Sequence, residues 1–77
     1  MIDPAITELA QAHLTENQYT AWNYHIHGMS TRAIAYRMDT ARTTTSDRID
    51  AAWRKLRQHG ITVTPDGQPH LEEQTPA

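Results

Sequence analysis

The stretch TARTTTSDR, residues 40–48, decides the fold. By composition it reads as a linker, because threonine, serine and aspartate compete for the backbone's own hydrogen bonds and form helices poorly. Its continuation IDAAWRKLR, residues 49–57, reverses that reading. Counted from Thr45, the residues Ile49, Ala52, Trp53 and Leu56 recur at the spacing of one apolar stripe along a helix. The pattern predicts a helix over 42–59, about 27 Å long at 1.5 Å per residue, with Gly60 as its stop. Thr45 then points inward, its methyl packed and its hydroxyl placed to bond a carbonyl one turn earlier.

The residues on either side supply punctuation. Asp39-Thr40 predicts a tight turn, since aspartate tolerates positive φ better than most residues. Before it, Ser30 caps a short helix over 31–38 that carries Ile34, Ala35 and Met38 on one face. Further back, LTENQ (14–18) opens a helix over 15–27. Thr15 caps it, Gln18 reaches back to complete a capping box, Leu14 can staple onto Tyr19, and Gly28 ends it. Ala21, Trp22 and Ile26 are its apolar positions. Asp3-Pro4 starts a first helix over 4–12, with Ile6, Leu9, Ala10 and His13 at helical spacing. After Gly60, Ile61-Thr62-Val63 is β-prone and Pro65-Asp66-Gly67 is a turn signal. A small hairpin of 61–64 with 68–71 is compatible with this, although Pro69 weakens its second strand. Residues 72–77 read as a disordered tail. The expected fold class is all-α: a small bundle of about four helices in residues 1–60, then a short hairpin or extended tail in 61–77. No internal repeat is present.

Composition narrows the function. At 77 residues the chain is one small domain, which buries only about 60% of its unfolded surface and leaves little depth for a catalytic pocket. There is no cysteine, hence no disulfide framework and no cysteine zinc site. No apolar run approaches the ~20 residues of a membrane span, and MIDPAITELAQ lacks the basic start of a signal peptide. A soluble cytoplasmic protein is expected. Net charge is −2, but all seven basic residues (Arg32, Arg37, Arg42, Arg48, Arg54, Lys55 and Arg57) fall between 32 and 57. Only Asp39, Asp47 and Asp50 oppose them there, so the segment carries +4 between acidic ends. Such asymmetry points to a polyanion partner, while a solvated helical face reads equally well from charge alone.

Three helices with a short turn between the last two describe a helix-turn-helix, whose second helix meets base edges with its N-terminal residues. Residues 14–57 resemble the DNA-binding domain of sigma-factor region 4 and the related LuxR-type response regulators. The resemblance rests on Leu14-Thr15 and Gln18, Gly28, Ser30, the Ile34-Ala35 pair, Arg42, Thr44, Arg48 and the Arg54-Lys55-Leu56-Arg57 end, in register without a gap. The chain departs from that pattern at several positions. Thr40 replaces an aliphatic turn residue and Thr45 a Val or Ile. Ala41 stands where Ser or Thr usually caps the recognition helix, and Ala33 replaces the Glu of a second capping box. These changes imply a marginally stable version of the domain.

The resemblance implies that Thr45, Ile49, Trp53 and Leu56 face the core. It implies that Arg42, Thr43, Ser46, Asp47 and Asp50 face outward where bases would lie. Arg42 would pair with guanine, and Thr43 and Ser46 with bases or phosphates. Thr44 would lie near the backbone of the groove. Asp47 and Asp50 would either accept from a cytosine amino group or hold an arginine, Asp50 pairing with Arg54 at i, i+4. Arg32, Arg54, Lys55 and Arg57 would contact the phosphate backbone, which positions the protein while base contacts specify. If about five cations neutralise phosphates, log K falls against log salt with a slope of about −4.5. The implied partner is double-stranded DNA, bound by a homodimer or within a complex with a larger protein, and the implied role is transcriptional regulation. Two other readings stay open: a protein-interaction module that keeps this fold and binds a polymerase or another regulator, and the DNA-recognition part of a packaging or recombination complex.

Other chemistry finds no support. His25 and His27 are two positions apart, which sends their rings to different sides of a helix, and no second cluster accompanies them. No metal or cofactor is expected. Glycine-rich phosphate loop, nucleophile elbow and paired-carboxylate pocket are all missing from the sequence, so no catalysis is expected.

Overall fold

Four helices and one hairpin make up the computed structural model, which describes residues 2–72. The helices are α1 (Pro4–His13), α2 (Glu16–Ile26), α3 (Thr31–Arg37) and α4 (Arg42–Gln58), and the strands are β1 (Ile61–Val63) and β2 (Pro69–Leu71). Each helix lies within one residue of its expected bounds, because its ends are set by local chemistry. Asp3 accepts from the Ala5 amide at 2.9 Å. Thr15 and Gln18 form the reciprocal capping box, each side chain accepting from the other's amide at 3.2 Å. Ser30 accepts from the Ala33 amide at 3.2 Å.

The C-terminal ends are equally local. Gly28 takes φ +92° at the end of α2, and the Met29 amide reaches back to the Tyr24 carbonyl at 3.1 Å, closing a Schellman turn. Asp39 repeats the device at the end of α3 with φ +53°, the Thr40 amide donating to the Ala35 carbonyl at 2.9 Å. This left-handed aspartate lets α3 and α4 follow each other with only residues 38–41 between them.

Helix α4 is the common wall of two hydrophobic clusters. One gathers Ile6, Ala10, Leu14, Trp22, Ile26, Ala52, Leu56 and Ile61 from α1, α2, α4 and the hairpin. The other joins Ala21, Ile34 and Ile49 from α2, α3 and α4. Trp53 is half-buried and packs against both, meeting Trp22 edge-on at 5.7 Å. Trp22 is buried with its indole N–H unpartnered among the described residues, so area rather than hydrogen bonding holds it. Thr45 is fully buried, and its hydroxyl donates to the Ala41 carbonyl at 3.0 Å, as the stripe predicts. The inward face is therefore Thr45, Ile49, Ala52 and Leu56, with Trp53 on its flank.

The class is mainly α, with the hairpin formed rather than marginal. Pro69 does not weaken it. The Thr64 amide donates to the Gln68 carbonyl and the Glu72 amide to the Gly60 carbonyl, both at 2.8 Å. Pairing alternates between hydrogen-bonded and non-bonded positions, so Pro69, opposite Val63, occupies a non-bonded position where its missing N–H costs no ladder bond. Glu72 belongs to this closure rather than to a tail, and the rest of the expected tail, 73–77, lies outside the described residues. Gln68 also ties the hairpin to α2, donating from Nε2 to the Ile26 carbonyl at 2.8 Å. No helix among the described residues is long and apolar enough to cross a membrane.

Candidate nucleic-acid interface

With Thr45 and Ile49 turned into the core, the other sides of the first two turns of α4 must face water. Arg42, Thr43, Thr44, Ser46, Asp47 and Asp50 are all exposed. The tight turn then brings the start of α4 against the start of α3. Thr31, Arg32, Arg42, Thr43, Ser46 and Asp47 line an open cleft between the two helices. Five of the nine residues expected from sequence thus converge on one surface: Arg32, Arg42, Thr43, Ser46 and Asp47. Thr31 joins them unforeseen. Its only sequence signal is its place between the Ser30 cap and Arg32.

The end of α4 that opens on this cleft is electrostatically positive. No acidic residue lies in its first turn and no side chain caps it, so the partial positive charge of a helix N-terminus stands uncompensated by its own chain. Arg32 and Arg42 add two full charges beside it. Asp47 is the one carboxylate in the cleft lining.

The remaining expected residues lie elsewhere on α4. Thr44 is exposed on the first turn, outside the cleft lining. Arg54 and Arg57 are exposed toward the far end, Arg57 about 21 Å along the axis from Thr43 at 1.5 Å per residue. Lys55 is half-buried, and its Nζ donates at 2.8 Å to Gln18 Oε1, the atom that also accepts from the Thr15 amide. It therefore ties the last turns of α4 to the capping box of α2. The expected Asp50–Arg54 pair does not form: among the described residues the side-chain hydrogen bonds of α4 are those of Thr45 and Lys55, and both Asp50 and Arg54 are exposed. For two exposed side chains, the entropy of fixing them offsets a weak attraction.

The histidines are dispersed. His27 Nδ1 lies 2.6 Å from the Asn23 carbonyl, whereas His25 stands edge-on to Trp53 at 6.4 Å. His13 and His59 stack at 3.6 Å where α1 and α4 end. No group of three or more His, Asp or Glu converges among the described residues. No protein-family model matches the chain, and no curated protein or solved structure matches it.

Proposed function

We propose that the chain is a sequence-specific double-stranded DNA-binding domain of the helix-turn-helix kind, acting in transcriptional regulation. In this reading α4 is the recognition helix and α3 crosses the phosphate backbone. The observation that carries it is the cleft itself, in which the polar, uncapped start of α4 and Arg32 of α3 share one surface within a segment of charge +4. Arg42, Thr43, Ser46 and Asp47 offer donors and acceptors to base edges, and Arg32, Arg54 and Arg57 offer charge to phosphates. One such domain covers little DNA, so two copies, or one copy within a larger complex, would read a full site.

A protein-interaction module is the second reading. The exposed carboxylates of Asp47 and Asp50 and the net charge of −2 favour it. A part in DNA packaging or recombination would use the same surface in the same way.

An anisotropy titration on duplex DNA at several salt concentrations separates the DNA-binding readings from the protein-interaction one. Lys55 is engaged with Gln18 and Arg42 faces the bases, so Arg32, Arg54 and Arg57 are the cations counted, and log K is expected to fall against log salt with a slope of about −2.7. Replacing Arg42 and Thr43 together by alanine is expected to erase the preference for specific over mixed sequence. Affinity that ignores salt, or no binding at low salt, would rule out the DNA reading.

A further inference from the structure

Tyr36 is the most exposed large hydrophobic side chain of the described residues, at 90% of its full accessible surface. It stands on α3, one turn beyond Arg32 at i, i+4, and so shares a face with it. Met29, Arg32, Ala33, Tyr36 and Arg37 surround a second open cleft on the outer side of α3. Arg32 borders both clefts, which makes the two surfaces continuous. On the far side of Tyr36, the Arg37 guanidinium rests over the Tyr24 ring at 5.5 Å and is held against the body of the protein. A neutral phenol thus shares one open cleft with two cations on a seven-residue helix, without a core role.

We propose that Tyr36 is a positioning residue for nucleic acid, its hydroxyl donating to a backbone phosphate of the duplex beside the one met by Arg32. The proposal rests on the DNA-binding reading above and extends that interface from the start of α4 across α3. The occupant favoured by charge is a polyanion, since Arg32 and Arg37 line this cleft with Tyr36 and none of its lining residues is acidic. A phenol suits such a place because its hydroxyl can bond an oxygen while its exposed ring can cover apolar surface of a ligand. Tyrosine is among the side chains that make such phosphate contacts, which fix register without reading sequence.

A neutral contact has a signature that an arginine lacks. It releases no counterion, so its loss changes affinity without changing salt dependence. Tyr36→Phe removes only the hydroxyl from an exposed ring and is expected to leave the fold intact by far-UV circular dichroism. Affinity for mixed-sequence duplexes, followed by anisotropy, is expected to fall about five-fold, as for one lost hydrogen bond. The fall should be equal on preferred and mixed sequences, with the salt slope unchanged. Arg32→Ala is expected to lower the same slope by about 0.9. Wild-type protein that binds DNA with its salt dependence, while Tyr36→Phe and Tyr36→Ala bind equally well, overturns the role of Tyr36 and leaves the DNA reading standing; the face would then belong to a protein partner. Wild-type protein that fails to bind at low salt overturns both.

Discussion

Thr45 shows how much one atom group can decide. Its side chain is fully buried, and its hydroxyl donates to the Ala41 carbonyl. That carbonyl also accepts the Thr45 amide at 3.0 Å, so deleting the hydroxyl orphans nothing. A methyl in its place adds about 0.8 kcal/mol of burial against about 1 kcal/mol for the lost bond. Thr45→Val is therefore expected to lie within about 1 kcal/mol of the parent. Thr45→Ser, which keeps the bond and loses the buried methyl, is expected to cost at least about 1 kcal/mol. Urea unfolding of the two variants checks the order: a Val variant weaker than the Ser variant would show that the hydroxyl holds the turn. At this scale the sequence was highly legible. Caps, the capping box and the left-handed Asp39 depend on neighbours four residues away or fewer, and those neighbours are visible in the string. Lys55 was not legible, because its partner Gln18 is 37 residues distant and a cation in a basic run reads first as exposed.

Among the elements, α4 is the one whose start lacks support. Ala41 holds φ −70° and ψ 152°, almost the conformation of Ser30 at φ −68° and ψ 155°. The backbone is already shaped for a cap, and only the oxygen is missing. Ala41→Ser is thus expected to accept a hydrogen bond from the Thr44 amide, as Ser30 accepts from Ala33, and to add about 1 kcal/mol. In a domain of this size that raises Tm by roughly 4–8 °C, measurable by thermal circular dichroism; an unchanged Tm would mean that the start of α4 is already satisfied by solvent. The hairpin shows what pattern reading omits. Its strands and turn were legible, but the effect of Pro69 depends on the parity of the ladder. That parity is set by where Thr64 and Gln68 pair, and no property of Pro69 itself reveals it. For the same reason the charge run from 32 to 57 was visible in the sequence while its cleft was not. Arg32 and Arg42 meet only because the turn through Asp39 folds α3 back onto α4.

For the whole molecule the consequence of a shared wall is thermodynamic. Ile49 serves one cluster, Ala52 and Leu56 the other, and Trp53 both. Both clusters draw on α2 and α4, Ala21 and Ile49 for one and Trp22, Ile26, Ala52 and Leu56 for the other, so neither can lose these helices without the other. Melting should therefore be all-or-none, with tryptophan emission and far-UV signal changing at one common midpoint. In native-state hydrogen exchange, the amides of α2 and α4 are expected to share a single opening energy near the global value, while α3, with seven residues and two buried side chains, opens more readily. Distinct midpoints for fluorescence and helicity would instead divide the protein into two separately folding halves. Under the shared-wall arrangement, the face offered to a ligand spans the readily opened α3 and the start of the inner helix α4, so a bound polyanion would slow exchange in the least protected part of the chain and, by holding the native state, raise the common opening energy of the inner helices as well.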